Sequence, residues 1–183
     1  MNNPGKQMTN QDSTIVGLIN PKNVSNVGGV VRAADCFGAG KIIYTGARYD
    51  RAARFQTDTK NAASDLAMQH TSDIFKAIPS EHQIVCVELA VGATALTEFD
   101  HPERAIYLFG PEDGTLSQDT IDQADSVVFI PTRSSLNLAA SVNVVLYDRQ
   151  LKRSQRLPRE QYNQLIRESR DCRNRLLVSS DTH

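Results

Sequence analysis

One arginine stands out in a stretch whose pattern is otherwise that of an ordinary helix. Arg32 lies among small and apolar residues in NVSNVGGVVRAADCFGAG, which runs from Asn23 to Gly40. Apolar residues at three- and four-residue spacing predict a helix that begins at the Asn/Ser cap and ends at the following glycines. Two adjacent glycines in its first turns are each disfavoured by about 1 kcal/mol relative to alanine. Gly28 and Arg32 therefore indicate a purpose other than helix stability.

The position of this arginine suits it to hold an anion. A helical side chain leans toward the helix N-terminus, so Arg32 is expected over Gly28, where the missing side chain leaves space. From there the guanidinium can reach the helix start, where Asn26 lies and free N–H groups favour anions. Because arginine stays protonated in proteins, it is better suited to hold a phosphate and a hydroxyl than to accept a proton. The alternative is a structural ion pair between Arg32 and a carboxylate such as Glu112.

Two further segments place polar residues after apolar runs. FGPEDGTLSQD begins at Phe109 with a turn, and PTRSSLNLAASVN begins at Pro131 and puts Ser134, Ser135 and Asn137 at a helix start. Each segment alone is explained as a turn or an N-cap. Ligands of open α/β sheets bind beyond the carboxyl ends of the strands, and all three segments follow predicted strands. We therefore expect them to form one site.

The rest of the chain predicts the elements that position these segments. Short apolar runs alternate with helical patterns, which indicates an α/β fold with a parallel sheet flanked by helices. The predicted strands are Thr14–Ile19, Lys41–Thr45, Gln83–Leu89, Arg104–Gly110 and Ser126–Pro131. The later predicted helices are Lys60–Gln69, Ser72–Ile78, Gln118–Gln123, Leu136–Arg153 and Arg159–Leu177. We expect a flexible arm over 1–13, the main domain over 14–157, and a basic C-terminal helix and tail over 158–183.

Composition excludes several classes of protein. The 183 residues are 40% hydrophobic and 22% charged, as in ordinary soluble domains. No run approaches the roughly 18 apolar residues of a membrane span, and the polar start is no secretory signal. Three widely spaced cysteines without a CxxC pair and four scattered histidines predict neither disulfides nor a metal site. The expected location is the reducing cytoplasm.

Positive charge is concentrated in two places. The segment 149–175 carries nine Lys/Arg against three Asp/Glu, a net charge of +6 in a chain whose total is −1. A second basic run, RYDRAARFQTDTK, begins at Arg48. Such runs are either solvated helix faces or surfaces that bind phosphates.

Taken together, the three segments resemble the ordered motifs of the SpoU/TrmH family of SPOUT RNA 2′-O-ribose methyltransferases. The matching sequences are N-x-G-x-x-x-R-x-A-x-x-F-G from Asn26, F-G-P-E-D-G from Phe109, and I-P…S-L-N from Ile130, and the resemblance spans 15–153. It implies a SPOUT fold with a deep C-terminal trefoil knot, a homodimer, bound S-adenosyl-L-methionine, and methyl transfer to a ribose 2′-hydroxyl of RNA. We expect tRNA rather than rRNA as the substrate.

The resemblance also implies roles for individual residues. The catalytic residues would be Arg32, Asn26, Glu112, Ser135 and Asn137. The cofactor-binding residues, largely through their backbone, would be Leu89, Gly110, Ile130, Leu136 and Leu138. RNA contacts are expected at Arg48, Arg51, Arg54, Arg153 and Arg156.

Two other functions compete with this interpretation. One is a catalytically silent RNA-binding member of the same fold, which the presence of all five expected catalytic residues disfavours. The other is a flavodoxin-like nucleotide-binding domain, although GxxxxGK[ST] and GxGxxG are both missing. The stretch Pro131–Ser135 departs from the common form of the family, because it is shorter and contains Arg133.

Overall fold

Seven parallel strands form one sheet in the order β3-β2-β1-β6-β4-β7-β5. The strands are β1 Thr14–Leu18, β2 Lys41–Tyr44, β3 Ala67–His70, β4 Gln83–Val87, β5 Thr94–Ala95, β6 Ala105–Phe109 and β7 Ser126–Phe129. The computed structural model describes residues 13–54, 66–153, 157–169 and 176–178. In the middle of the sheet, β1 and β6 are buried along their whole length, as strands covered on both faces must be.

Helices cover both faces of the sheet. They are α1 Val24–Cys36, α2 Arg48–Ala53, α3 Ile74–Ala77, α4 Gln118–Asp122 and α5 Leu138–Arg153. A further helix, α6 Arg159–Glu168, belongs to a second compact unit of the chain. The larger apolar core joins α1 and α5 to one face of the sheet, with Val16, Tyr107 and Val142 fully buried. The smaller core joins α3 and the loop before α4 to the other face through Ile74 and Leu116. No helix among the described residues is long and apolar enough to span a membrane.

The expected parallel sheet and all five predicted strands are confirmed, and so is the helix that carries Arg32. Asn23 caps α1, because its side-chain oxygen accepts the N–H groups of Ser25 and Asn26. Past the other end of α1, Gly38 adopts a φ of 68°, the left-handed conformation that commonly terminates helices.

The prediction of a helix over Lys60–Gln69 is wrong where the structure describes it, since residues 67–69 belong to β3. Ala, Met and Gln favour helices locally, but here they pair with β2 in a parallel register, and sheet pairing overrides local preference. The first part of that prediction, 60–65, lies outside the described residues. The sequence also gave no sign of α2 or of the two-residue β5. The last predicted helix is shorter than expected, because α6 ends at Glu168 and residues 176–178 are not helical.

A buried polar network fixes the second half of α5. Arg149, which is 7% exposed, donates to Thr14 Oγ1, to the carbonyl oxygens of Pro102 and Glu103, and to the hydroxyl of Tyr107. It also lies over the Tyr107 ring, 5.8 Å from the ring centroid. This helix is therefore joined to the amino ends of the central strands by a buried cation that makes four hydrogen bonds.

His101 extends the same network. Its Nε2 lies 2.8 Å from Asp148 Oδ2 and its Nδ1 lies 2.6 Å from the Tyr107 hydroxyl. Because a carboxylate only accepts, Nε2 carries the proton and Nδ1 accepts from the tyrosine. Burial lowers the pKa of His101 and outweighs the hydrogen bond and charge of Asp148, which raise it. The imidazole is thus held neutral in a fixed tautomer.

Candidate active site

Four neighbouring strands, β1, β6, β4 and β7, end at one edge of the sheet. Three of them are followed by the segments that the sequence singled out, namely 19–23 after β1, 110–117 after β6 and 130–137 after β7. The fourth, β4, is followed by the loop 88–93. The expectation that the three segments converge at the carboxyl ends of parallel strands is therefore met by the strand order.

Glu112 joins the first segment to the second. Its two carboxylate oxygens accept the backbone N–H groups of Lys22 (2.9 Å) and Asn23 (3.0 Å), and Oε1 also accepts the side-chain amide of Asn26 at 3.1 Å. Burial raises the pKa of Glu112, but its hydrogen bonds with its own backbone, Lys22, Asn23 and Asn26 outweigh that effect, so the pKa is lowered. Glu112 is an ionised acceptor that holds the start of α1 in place.

A cleft of about 220 Å³ opens between the second and third segments and the loop after β4. All five residues expected to bind a cofactor line it, and so do the expected catalytic residues Glu112 and Ser135. Its walls present polar and apolar surface in about equal measure. The lining residues are Val87, Glu88, Leu89, Phe109, Gly110, Pro111, Glu112, Gly114, Phe129, Ile130, Thr132, Ser135, Leu136, Leu138 and Ser141.

Glu88, Thr132 and Ser141 are lining residues that the sequence did not single out. Glu88 is the last polar residue of a predicted strand, and a lone carboxylate there carries no distinctive signal. The Thr132 hydroxyl donates to the carbonyl oxygen of Ser134 at 2.7 Å, which closes a tight turn within the third segment. The Thr-x-Ser spacing of such side-chain turns is the only clue the sequence offered.

Asn137 begins α5. Its side-chain oxygen accepts the N–H of Ala140 at 2.7 Å, and its carbonyl oxygen accepts the N–H of Ser141. This is the cap that local preference predicts. Asn137 is exposed and is not among the residues that line the cleft.

The two glycines of α1 differ in their surroundings. A Cβ at Gly29 would lie 2.8 Å from the Cβ of Ala139, so this glycine permits the close contact of α1 with α5. A Cβ at Gly28 would have no neighbour within 4 Å. The expected open space at Gly28 is therefore present, and the packing of α1 on α5 does not require a glycine there.

Arg32 is exposed on α1 and makes no hydrogen bond or ion pair within the described part of the chain. The structural ion pair with Glu112, which we considered from the sequence, is thus not formed, because Glu112 binds the helix start instead. Asn26 likewise contacts Glu112 rather than Arg32. Arg32 and Asn26 do not line the cleft.

The arginines expected to contact RNA are in different situations. Arg48 binds Asp113 at 2.7 Å, and Lys22 binds the same carboxylate at 3.2 Å. Both hydrogen bonds lower the pKa of Asp113, and the one from Arg48 has the larger effect. Arg51 donates to the carbonyl oxygen of Ala47 at 3.2 Å.

Arg54, in contrast, is exposed at the end of α2. Arg153 donates to the carbonyl oxygen of His101 at 2.8 Å, and Arg149 is buried, so these members of the basic segment 149–175 are partly committed to the fold. Arg156 lies outside the described residues.

Metal chemistry finds no support in the described ranges, where no group of three or more His, Cys, Asp or Glu is arranged to hold an ion. Cys36 is exposed and Cys86 is buried, and neither is bonded to another cysteine. Burial raises the pKa of Cys86, and the charge of Glu88 adds a smaller effect, which together bring it to about 12. It is therefore an unreactive core thiol at neutral pH.

Comparison with known proteins gives one family match. The model of the SpoU rRNA methylase family matches residues 13–147. No curated protein sequence matches the chain.

Several solved structures share the fold. An S-adenosylmethionine-bound rRNA methyltransferase from Sinorhizobium meliloti is 23% identical, with a TM-score of 0.65, and the match covers 85% of this chain and 62% of that enzyme. The chain therefore spans less than two thirds of that relative. The TrmH/SpoU tRNA-modifying enzyme of A. aeolicus is 20% identical, with a TM-score of 0.62 and coverages of 86% and 87%. A structure that concerns 2-OH methylation of C/U34 on tRNA is 22% identical, with a TM-score of 0.62 and coverages of 76% and 95%.

Proposed function

This chain belongs to the SpoU rRNA methylase family, and from that premise we propose that it transfers the methyl group of S-adenosyl-L-methionine to a ribose 2′-hydroxyl of RNA. The observation that carries the proposal is the arrangement at the sheet edge. Glu112 lines the cleft and at the same time holds the start of the helix that bears Arg32. A small-molecule cleft is thereby joined through one carboxylate to an exposed arginine that has no partner among the described residues.

The cleft fits the proposed cofactor in both shape and charge. Leu89, Ile130 and Leu136 provide apolar walls of the kind that enclose an adenine. The lining includes two carboxylates and no Lys, Arg or His, which favours a ligand that carries positive charge. When bound, this cofactor supplies an activated methyl group on a sulfonium. The fold of the family also implies the trefoil knot expected from the resemblance.

The residues of the chain would then align the ribose rather than activate the methyl donor. We propose that Arg32 holds a phosphate next to the target ribose and polarises its 2′-hydroxyl, because its guanidinium is free of protein partners within the described residues. Glu112 and Asn26 fix the helix from which Arg32 projects. Ser135, exposed at the rim, would bind the ribose. Asn137 would act mainly by starting α5. Alignment of this kind contributes several kcal/mol to a displacement reaction.

The RNA would lie over α1 and α2. Gly28 leaves open space beside Arg32, and α2 presents Arg48, Arg51 and Arg54 from the neighbouring strand connection. Such cations orient RNA through its phosphates without reading its sequence. We propose tRNA as the substrate, with support from two fold relatives described as acting on tRNA. rRNA is the alternative that the assay below detects.

A homodimer is proposed from the surface of α5. Val144, Tyr147 and Leu151 lie on one side of this helix and are 37%, 58% and 65% exposed. Phe37 at the end of α1 packs edge-on against Tyr147, which makes the stripe continuous with α1. Apolar stripes of this kind are typical of interfaces between subunits. A second copy is the occupant that the family suggests. Tyr147→Glu is expected to convert a dimer to a monomer in light scattering, and an unchanged mass would contradict the assignment.

Methyl transfer to RNA tests the main proposal. The purified chain is incubated with methyl-labelled S-adenosylmethionine and total RNA, and digested nucleosides are then separated by RNA class. We expect label in 2′-O-methylated nucleosides of tRNA. Arg32→Ala is expected to lower the rate about a hundredfold, the usual effect of losing one preorganised donor. Lys76→Ala serves as control, because Lys76 is an exposed cation on α3, away from the cleft.

The alternatives give distinct results. Label in rRNA alone would overturn the choice of tRNA, and label on bases would overturn ribose as the acceptor. RNA binding without cofactor binding would favour the catalytically silent alternative. An Arg32→Ala variant that matches the control would remove Arg32 from the mechanism.

A further inference from the structure

Glu88 links the two walls of the cleft. Its Oε1 accepts the N–H of Leu89 at 2.9 Å, at the start of the loop after β4. Its Oε2 accepts the N–H of Leu116 at 2.8 Å, in the segment after β6. One carboxylate therefore joins its own loop, which lines the cleft at Leu89, to a segment that is distant in sequence.

The packing around Gly110 depends on the same contact. A Cβ at Gly110 would lie 3.2 Å from Leu116 N and 3.5 Å from Glu88 Oε2. The end of β6, the backbone at Leu116 and the Glu88 carboxylate thus meet with little spare volume. Gly110 therefore allows the neighbouring segment to approach closely, and it also lines the cleft in which the resemblance places the cofactor. Any shift of Leu116 would therefore move the wall that begins at Gly110.

Only glutamate satisfies this geometry. A carboxylate is purely an acceptor, so both oxygens can face N–H donors. Glutamine has the same length, but its NH₂ group would face one of those donors. Aspartate keeps the charge but is one methylene shorter, so from the same backbone position we expect it to lose the contact with Leu116.

We propose that Glu88 is a positioning residue that sets the spacing between the two walls of the cleft and thereby the affinity for the adenosine part of the methyl donor. This inference rests on the function proposed above. Glu88 acts through the backbone of Leu89 and Leu116, which adjoin or line the cleft. Glu112 holds the same segment from its other side, against the start of α1. The segment 110–116 is thus fixed at both ends by a carboxylate.

Calorimetric titration with two ligands tests this role. S-Adenosylmethionine and S-adenosylhomocysteine share the adenosine part but differ by the sulfonium charge. Glu88→Gln and Glu88→Asp are each expected to weaken both ligands by the same factor, about tenfold, as for the loss of one hydrogen bond to a charged group. Glu98→Gln, an exposed carboxylate that does not line the cleft, should bind both ligands like the parent chain.

Amide hydrogen exchange is a second measurement, and it reports on the cleft wall at Leu116. In the unliganded Glu88→Gln chain, the Leu116 amide is expected to exchange with solvent faster, whereas the Leu108 amide in the core of β6 is unchanged. If Glu88→Gln fails to fold, Glu88→Asp carries the test alone.

Three results would overturn the proposal. Parent-like affinity of both variants would show that the spacing does not depend on Glu88. A loss confined to S-adenosylmethionine would show that Glu88 acts through its charge, and parent-like binding by Glu88→Asp would lead to the same conclusion. A parent chain that binds neither ligand would overturn the proposed function together with this proposal.

Discussion

Gly28→Ala and Gly29→Ala, at the two adjacent glycines of α1, are expected to have very different effects on the unfolding free energy. Both substitutions gain about 1 kcal/mol of helix propensity. At Gly28 nothing opposes this gain, because the new Cβ has no neighbour within 4 Å. At Gly29 the new Cβ would lie 2.8 Å from the Cβ of Ala139, so α1 and α5 must separate. Overpacking of this kind costs about 1–3 kcal/mol. Since the propensity gain cancels, the two variants should differ in unfolding free energy by about the same 1–3 kcal/mol.

Urea denaturation followed by circular dichroism measures this difference directly. A gain of 1 kcal/mol corresponds to a rise in Tm of about 2–4 °C for a chain of this size, so Gly28→Ala should melt later than the parent. Equal stability of the two variants would show that the contact between α1 and α5 is not tight at Gly29.

The rate of methyl transfer shows whether or not the open space at Gly28 has a function. If the open space beside Arg32 receives RNA, the more stable Gly28→Ala chain should transfer methyl groups more slowly than the parent. A stable variant with the parent rate would refute the functional interpretation of Gly28. The assay is the labelled transfer described above, at RNA concentrations below and above saturation.

Three further outcomes are expected. Arg149→Met should lower the unfolding free energy in urea by about 3 kcal/mol or more, since two buried and two part-buried acceptors lose their donor; a loss below about 1 kcal/mol would contradict the network. Because the pKa of His101 is lowered on folding, the unfolded chain binds more protons, and stability should fall as the pH drops below about 6.5 toward the folded pKa. His101→Gln should flatten that slope in pH-dependent melts. Asp113→Asn should tighten RNA binding in low-salt filter assays, since it frees Arg48 and Lys22 for phosphates; weaker binding would show that Asp113 is needed to orient them.

Much of the fold was predictable because its signals are local. The cap, the apolar spacing and the terminating glycine of α1 lie within the segment itself, and the apolar runs of β1 and β6 are typical of strands buried on both faces. The error at β3 has the opposite origin. Residues 67–70 are strand only because β2 lies beside them, and that pairing joins positions about 26 residues apart.

The candidate site likewise has features that could be predicted from the sequence and features that could not. Motif order predicted which loops meet, since parallel strands bring their carboxyl ends to one edge. The family resemblance named seven of the residues that line the cleft, but not Glu88, Thr132 or Ser141. The contacts made by each carboxylate were not predictable. Glu112 binds the helix start and not Arg32, and Glu88 binds the facing wall, because the backbone donors of both lie on other segments. Arg149 was predicted as part of a charged surface, whereas its carbonyl partners become apparent only when 102–103 folds against α5.

The strand order has a consequence for how the chain matures on the ribosome. β1 lies between β2 and β6, so its second edge stays unpaired until Ala105, the partner of Thr14 in β6, has been synthesised. At ordinary translation speeds this delay lasts on the order of ten seconds. Throughout that interval a strand that is buried along its whole length in the folded protein offers an open edge to other nascent chains. We therefore expect the yield of this protein to depend on early protection of that edge by a chaperone.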